Sequence, residues 1–223
     1  MNGNDSTGLL EKPSGFSLIM NVVPMVHLGT GAALASTVAA GLAGSIAVMV
    51  AWVYLVPPLV ARILVAAFGE PRGELRQDMA SYRVWWALTQ LQMPFNRLPV
   101  LEETLRLVPG LYAAWIGLWG GRVSARAFIG PGVVITDRYA VDVGRGAVLG
   151  YKAALAGHMV VRDEAGRFMV IVAAPRVEAD AMVGGGAGLG PGATLRAGHV
   201  LPTGRRVGPY GAWPRTGTNA GGA

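Results

Sequence analysis

The sequence lacks cysteine altogether, so disulfide bonds, thiolate metal sites and cysteine nucleophiles are excluded over its 223 residues. Charge is also sparse. Only 14% of the residues are Asp, Glu, Lys or Arg, and residues 13–61 contain none of the four, while 52% of the chain is hydrophobic. A composition this apolar excludes both a disordered chain and a purely cytosolic domain. It predicts a segment inside a membrane.

The charge-free region contains one clear membrane span. Residues 32–56 are predominantly apolar, and a helix of ~20 such residues crosses the hydrocarbon core of a bilayer. The segment before it is also apolar but contains Asn21, Pro24 and His27. Two alternatives stay open for that segment: a second span that closes a hairpin through residues 29–31, or a helix at the membrane interface.

Positive charge is unevenly placed around this region. Lys12 alone precedes the apolar segment, whereas four arginines follow it, at Arg62, Arg72, Arg76 and Arg83. Segments rich in Lys and Arg next to a span stay on the cytoplasmic side of the membrane. Everything after the span is therefore predicted to face the cytoplasm.

Residues 74–119 have a helical period. Apolar side chains recur every three or four residues, as in an amphipathic helix, at Leu75, Met79, Tyr82, Trp86, Leu101, Leu105, Val108, Tyr112, Trp115 and Trp119. Tryptophans lie among arginines here, which suits the headgroup region of a bilayer. Packing against the following domain is the alternative, and both interpretations stay open.

From residue 122 onward, aliphatic side chains recur every six residues. Neither a helix nor an alternating strand produces this period. A coil of three short strands per turn does, because each aliphatic side chain then stacks on its counterpart three repeats later. The predicted inward residues are Val123, Ile129, Ile135, Val141, Val143, Leu149, Leu155, Val161, Val177, Val183, Leu189, Leu195, Leu201 and Val207.

This repeat resembles that of the hexapeptide-repeat acyltransferases, and the resemblance covers residues 122–210. Three stretches, 107–121 (LVPGLYAAWIGLWGG), 134–138 (VITDR) and 150–158 (GYKAALAGH), look like a membrane-tethered bacterial subgroup. The resemblance implies a left-handed parallel β-helix of about five coils that assembles as a homotrimer.

A mainly β fold in four parts is therefore predicted. Residues 1–61 form an N-terminal tail and transmembrane anchor, and residues 62–121 form amphipathic, interfacial helices. Residues 122–212 form the left-handed β-helix, with an extruded loop at 162–176. Residues 213–223 have no hydrophobic period and are predicted to be a disordered tail.

The resemblance assigns the general base to His158. In that family a histidine just before the extruded loop takes a proton from the attacking hydroxyl or amine, a task that suits an imidazole with a pKa near ~6.5. Of the other histidines, His27 belongs to the membrane segment and His199 to a corner of the coil. A γ-class carbonic anhydrase shares this coil but needs three histidine ligands for zinc, so no metal site is predicted.

The candidates for substrate binding are Asp137, Asp142 and Tyr151. Either carboxylate can orient His158 or bind an acceptor, and a solvated turn is the alternative for each. Tyr151 stands where relatives commonly carry a histidine.

Three arginines on the late coils, Arg196, Arg205 and Arg206, are candidates for binding the acyl donor. Family members bind the phosphates of coenzyme A or an acyl carrier protein in this region, and the planar guanidinium forms paired hydrogen bonds with phosphate oxygens. A solvated surface is the alternative. The thioester donor is a substrate, so no tightly bound cofactor is expected.

The predicted function is transfer of an acetyl or longer acyl group from acyl-CoA or acyl carrier protein to a hydroxyl or amine, on a lipid- or glycan-linked acceptor. The predicted location is the cytoplasmic membrane, with the catalytic domain facing the cytoplasm. The alternative is a catalytically silent trimeric scaffold. The net charge of +6 clusters near the span and is not interleaved with exposed aromatics on the coil, so no nucleic-acid partner is predicted.

Overall fold

The computed structural model describes residues 14–164 and 166–215. Helices dominate the first half of the chain: α1 (Gly15–Met20), α2 (Val23–Val38), α3 (Gly41–Phe68), the short strand β1 (Gly73–Leu75), α4 (Ala80–Arg97), α5 (Val100–Arg106) and α6 (Leu111–Trp119).

Short strands make up the second half. They are β2 (Arg122–Val123), β3 (Phe128–Ile129), β4 (Val134–Ile135), β5 (Asp142–Val143), β6 (Val148–Leu149), β7 (Ala154–Leu155), β8 (His158–Arg162), β9 (Phe168–Val172), β10 (Arg176–Val177), β11 (Met182–Val183), β12 (Gly188–Leu189), β13 (Thr194–Leu195), β14 (Val200–Leu201), β15 (Arg206–Val207) and β16 (Ala212–Trp213).

Two helical segments are long and apolar enough to cross a membrane: Gly15–Val38, which joins α1 and α2, and Gly41–Phe68, which is α3. α2 and α3 pack against each other as a hairpin. The turn lies between Val38 and Gly41, so the turn predicted at residues 29–31 is wrong. Those residues are helical, and Gly31 lies so close to Trp52 that a Cβ there would come within 2.6 Å of the indole.

The helix α3 continues past residue 61, the predicted end of the anchor. It ends at Phe68 and is followed by Gly69, whose φ of 84° lies in the left-handed region that glycine adopts without steric cost. The helical hairpin therefore extends directly to the segment that leads into the coil.

The helices α4, α5 and α6 pack between α3 and the first turn of the coil. Trp85, Trp115 and Trp119 are at most 3% exposed, so the structure favours packing over the headgroup interpretation for these three side chains. Leu75 was predicted in a helix but lies in β1, because residues 73–75 pair with β9.

The strands β2–β7 and β10–β16 wind into a parallel β-solenoid of about five turns. The first sheet contains β2, β5, β10, β13 and β16; the second contains β3, β6, β11 and β14; the third contains β4, β7, β12 and β15. In each strand the second residue points inward, and the resulting column of aliphatic side chains is the core. Leu149, Leu155, Leu195 and Leu201 are fully buried within it.

The predicted six-residue repeat is confirmed, and its irregularities are informative. Partners along the first sheet are three regular repeats apart in the last coils, as for Leu195 and Trp213. The spacing is slightly longer between Val123 and Val143, and much longer between Val143 and Val177. Both longer spacings come from residues inserted at the corner between the third and the first sheet.

Two predicted positions need correction. Val161 is not an inward residue of the coil but lies in β8, because the chain leaves the coil at His158 and not at residue 162. At the other end, Trp213 was assigned to the tail but is the second residue of β16 and packs against the core. Residues 216–223 of the predicted tail lie outside the described residues. The left-handed winding of the coil stays a prediction.

The strands β8 and β9 form an antiparallel hairpin that projects from the coil, and β1 adds a third strand to it. This hairpin occupies the place of the predicted extruded loop. Leu75, Val170 and Val172 form its buried side and pack against Trp85 of α4. The hairpin is therefore held in place by α4.

Candidate active site

The candidate site lies at the corner where the chain passes from the third sheet to the first. In the first coil this corner is lengthened by two residues after β4, and one coil later the hairpin β8–β9 leaves from the same corner. Parallel coils stack equivalent corners on one another. The two insertions therefore meet, and they bring together Asp137 from the first and His158 from the second.

His158 and Asp137 form a hydrogen-bonded pair. His158 Nδ1 lies 2.7 Å from Asp137 Oδ2, and the aspartate side chain is 1% exposed while the histidine side chain is 26% exposed. An ionised carboxylate only accepts hydrogen bonds, so Nδ1 carries the proton and Nε2 keeps its lone pair. Nε2 has no hydrogen-bond partner among the described residues. It is therefore placed to accept a proton.

The surroundings of His158 act on its pKa in opposite directions. Burial lowers the pKa, whereas the hydrogen bond to Asp137 and the negative charge of that carboxylate raise it. The two raising effects together outweigh burial, so the pKa lies above the ordinary 6.5. The imidazolium that forms when Nε2 takes up a proton is thus stabilised by Asp137.

Asp137 is held by its own coil and by the next one. Thr136 Oγ1 donates to Asp137 Oδ2 over 2.6 Å and accepts from the backbone N–H of Gly157 over 3.1 Å. Gly157 lies directly against the aspartate, since a Cβ at this position would come 2.6 Å from the Asp137 Cβ. A residue without a Cβ is needed here for the two coils to approach.

A buried polar network fixes Arg138, the next residue along this corner. Its backbone N–H donates to Gln92 Oε1 over 2.7 Å, and its guanidinium forms an ion pair with Glu102. The hydroxyl of Tyr112 also donates to Glu102, over 2.9 Å. Burial and the charge of Glu102 raise the pKa of Tyr112, so this hydroxyl stays protonated. The helices α4, α5 and α6 thus anchor the corner that carries the aspartate.

The helix α4 covers His158 on the hairpin side. The Trp85 indole meets the imidazole edge-on, with ring centroids 5.3 Å apart. Alternate residues of a strand share a face, so His158 lies on the same face of the hairpin as Val160, which pairs with Val170 of β9. The site is therefore continuous with one face of the hairpin sheet.

The other predicted substrate-binding residues lie elsewhere in the chain. Asp142 points outward from the first sheet, where its carboxylate lies 2.6 Å from Arg122 and 3.4 Å from Arg176. Tyr151 is exposed at the corner between the second and third sheets, with the Lys152 ammonium 5.0 Å from its ring centre. Neither contacts His158 within the chain, and their substrate-binding roles stay predictions.

The three candidate donor-binding arginines are all exposed. The Arg205 guanidinium lies over the Trp213 ring at 5.0 Å from its centre. Arg206 projects from the third sheet beside Gly188, one coil below it. Arg196 follows β13 at the corner after the first sheet. Their role in binding phosphate stays a prediction.

The remaining histidines have no acidic partner among the described residues. His199 is exposed, and its Nδ1 lies 2.8 Å from the carbonyl oxygen of Ala197. His27 lies in α2 and stacks on Trp52. Within the described ranges, no group of three His, Asp or Glu residues is placed to hold a metal ion. Of these three histidines, His158 has the surroundings of a general base.

Thr136, Gly157 and Gln92 were not identified from the sequence as parts of this site. A signal for the first two was present, because Thr136 and Gly157 lie within residues 134–138 and 150–158, two of the stretches on which the family resemblance rests. No comparable signal pointed to Gln92, which reaches the corner from α4, far earlier in the chain.

Comparisons with known proteins give structural neighbours only. No family model matches the sequence, and no curated protein matches it. A hexapeptide-repeat acetyltransferase from Vibrio cholerae is 15% identical, with a TM-score of 0.30, over 53% of this chain and 86% of its own. The structure of that protein from V. cholerae O1 biovar eltor, complexed with acetyl coenzyme A, is 14% identical, with a TM-score of 0.30, over 52% of this chain and 85% of its own.

Serine acetyltransferase isoform 3 from Entamoeba histolytica, in complex with cysteine, is 9% identical, with a TM-score of 0.24, over 96% of this chain and 86% of its own. At this low similarity, the function must be argued from the residues of this chain.

Proposed function

We propose that the chain is an acyltransferase that moves an acetyl or longer acyl group from a thioester to a hydroxyl or amine. The observation that carries this proposal is the pair formed by His158 and Asp137, in which Nδ1 is bound to a buried carboxylate and Nε2 has no partner among the described residues. The six-residue repeat, with a histidine at the start of an extruded hairpin, adds support through its resemblance to hexapeptide-repeat acyltransferases.

The proposed reaction needs one general base and no covalent enzyme intermediate. His158 Nε2 takes the proton of the acceptor as its oxygen or nitrogen attacks the thioester carbon. The C–S bond then breaks, and the departing sulfur receives that proton from the imidazolium. The products are an ester or amide and a free thiol. Asp137 keeps Nδ1 protonated and stabilises the positive charge that His158 carries between the two steps.

The donor is proposed to be acyl-CoA or an acyl carrier protein, bound with its phosphate groups near Arg196, Arg205 and Arg206. Support comes from the exposure of all three guanidinium groups on the last coils. Arginine pairs well with phosphate oxygens.

The enzyme is proposed to act at the cytoplasmic face of the cytoplasmic membrane on a lipid- or glycan-linked acceptor. Large apolar side chains on α2 and α3 support the membrane location, because they are exposed by 66–79% in the protein: Met25, Val38, Leu42, Ile63 and Phe68. Such side chains are stable when lipid covers them.

A homotrimer is proposed as the active assembly. The second sheet supports this, because its outward side chains form an apolar stripe across several coils. Phe128, Met182 and Val200 in this stripe are 63%, 42% and 55% exposed. An exposed apolar patch of this kind suits packing against another copy of the chain.

The decisive test is thiol release by purified protein supplied with a panel of acyl-CoAs and hydroxyl or amine acceptors. His158→Ala is expected to lower kcat by ~10²–10⁴-fold with little change in donor binding, because the proton moves only in the transition state. His199→Ala is the matched control and is expected to keep most of the activity. Full activity of His158→Ala would contradict the mechanism, and absence of thiol release from every combination would favour the scaffold.

A further inference from the structure

An apolar cavity lies between the hairpin, α4 and the first helix of the membrane segment. Its volume is about 270 Å³. Aromatic and aliphatic side chains form most of its wall, together with Ser17 and Asn21 of the membrane segment: Tyr82, Trp85, Trp86, Val160, Phe168 and Val170. The indole N–H of Trp86 donates to the carbonyl oxygen of Ser17 over 3.2 Å, which joins α4 to α1 beside the cavity.

A second, polar cleft of about 640 Å³ adjoins this cavity. Three arginines line the cleft, Arg76, Arg83 and Arg167, against the carboxylate of Asp78. Arg167 also pairs with Asp163 at 2.9 Å. Arg76 and Arg83 are exposed and form no ion pair with any described residue. The cleft therefore holds uncompensated positive charge.

The two spaces lie side by side, the charged one next to the apolar one. Gln77 lines both of them. Residues adjacent in sequence also divide between the two, since Arg83 and Arg167 line the cleft while their neighbours Tyr82 and Phe168 line the cavity. A ligand that fills both spaces must carry an anionic group next to an apolar chain.

The position of this site restricts the source of such a ligand. The segment that forms one wall of both spaces begins the first candidate membrane span, Gly15–Val38. Since α2 and α3 form a hairpin, the start of that span and the end of α3 at Phe68 lie on the same side of the membrane. With these helices in the membrane, as proposed above, the cleft lies at the level where lipid headgroups meet water.

We infer that this site binds an anionic glycerophospholipid. Arg76 and Arg83 hold the headgroup phosphate through charged hydrogen bonds, and the upper part of one acyl chain lies against Trp86 and Phe168. The lipid would thereby hold the hairpin that carries His158 against the membrane surface. A free phosphate ion shares the headgroup chemistry but leaves the apolar cavity empty, so the test must separate the two.

The test is quenching of tryptophan fluorescence in the full-length protein by phosphatidylglycerol that carries bromine on its upper acyl chain, in uncharged-detergent micelles. The control lipid is diacylglycerol with the same bromine content, which has no phosphate. We expect the quenching by phosphatidylglycerol to saturate and to exceed the quenching by this control. Trp86→Phe should reduce the difference in quenching between the two lipids, because Trp86 lines the cavity. Millimolar inorganic phosphate should not displace the lipid. Equal quenching by the two lipids, or full displacement by phosphate, would overturn the inference.

Matched double variants test the headgroup contacts. Arg76→Gln with Arg83→Gln is expected to raise the half-saturating concentration of phosphatidylglycerol about tenfold or more, because two charged hydrogen bonds are lost. The control, Arg97→Gln with Arg126→Gln, removes the same charge from exposed positions outside both spaces. It should change the half-saturating concentration of phosphatidylglycerol by less than about twofold. An equal loss in both variants would show attraction by net charge alone and would overturn the site. The inference rests on the proposed membrane location, but its readout involves no acyl transfer, so its outcome is independent of the proposed acyltransferase activity.

Discussion

At the scale of single residues, the chemistry of the candidate site depends on how Asp137 changes His158. A histidine buried without a partner is harder to protonate, which would make its imidazolium costly as an intermediate. The buried carboxylate reverses this balance and raises the pKa of His158. The same contact fixes the tautomer, so that the lone pair is on Nε2. The hydrogen bond of 2.7 Å between His158 and Asp137 thus affects both the pKa of the proposed base and the nitrogen that carries its lone pair.

Asp137→Asn is expected to lower kcat between ~10- and ~10⁴-fold, because the tautomer of His158 is no longer fixed. Neutral His158 is the active form, so activity falls as the pH drops through its pKa. The variant removes the charge that raises this pKa, while burial still lowers it. The acid limb of the pH profile of kcat/KM should therefore move to lower pH. Glu178→Gln, the same charge change elsewhere on the coil, should leave the limb in place; an unmoved limb in Asp137→Asn would contradict the pairing.

Gly157→Ala tests the close approach of the two coils. The added methyl would lie 2.6 Å from the Asp137 Cβ, so either the aspartate or the corner must shift. Overpacking of this kind costs ~1–3 kcal/mol. Lower thermal stability and a loss of kcat are expected together. Gly208→Ala, at a corner with nothing within 4 Å of the added methyl, is the control and should be nearly neutral. Equal behaviour of the two variants in melting and kinetic measurements would show that the approach at Gly157 is unimportant.

His158 was predicted from the sequence as the general base, whereas the residue that pairs with it was left open between two aspartates. Asp137 and Asp142 were equal candidates, because both lie near a turn in the predicted coil. The structure distinguishes the two: Asp137 is buried against His158, whereas Asp142 pairs with surface arginines. Which aspartate pairs with His158 depends on which corners of successive coils lie on one another. The number of residues inserted beyond the three regular repeats of a coil determines this. The contact between Trp85 and His158 had no such signal, because it joins a helix to a hairpin far along the chain.

At the scale of elements, the coil follows directly from its repeat, because each strand needs only one inward aliphatic residue and a tight corner. The hairpin was predicted only as an interruption. Its second strand, β9, pairs with β1, which comes from a segment predicted as helix. Leu75 fits either structure by its hydrophobicity alone, and the pairing partner in β9 decides between them. Local patterns cannot reveal a strand whose partner lies so far along the chain.

The register of the coil can be tested by insertion. One residue added after Gly186 would turn Leu189, Leu195 and Leu201 away from the core, and each buried leucine contributes ~1.5–3 kcal/mol. The combined loss approaches or exceeds ~5 kcal/mol, the lower end of domain stability. Folding, measured by circular dichroism and gel filtration, should be abolished. A six-residue insertion at the same place restores the register and should be tolerated. Equal tolerance of both insertions would contradict the repeat as the basis of the fold.

At the scale of the whole molecule, the helices connect the candidate site to the apolar hairpin. Tyr54 in α3 donates from its hydroxyl to the carbonyl oxygen of Leu101 in α5 over 2.8 Å, and the Trp115 indole of α6 donates to the Tyr54 carbonyl over 2.9 Å. Gln92 of α4 and Glu102 of α5 hold the corner next to Asp137, and α4 also packs against α3. The position of the site relative to the spans is therefore fixed by packing and not by a flexible linker.

This arrangement predicts both membrane insertion and orientation. Alkaline carbonate should leave the full-length protein in the membrane, because Gly15–Val38 and Gly41–Phe68 can both span it. Arg62 lies in the last two turns of the second candidate span and Arg72 and Arg76 lie beyond its end, so that end is expected in the cytoplasm. A reporter fused after Ala223 should be active inside the cell. The same reporter inserted between α2 and α3 should be active only outside the cytoplasm, because the turn between these two helices lies on the other side of the membrane from the end of α3. A C-terminal reporter active only outside, or release by carbonate, would contradict the orientation or the insertion.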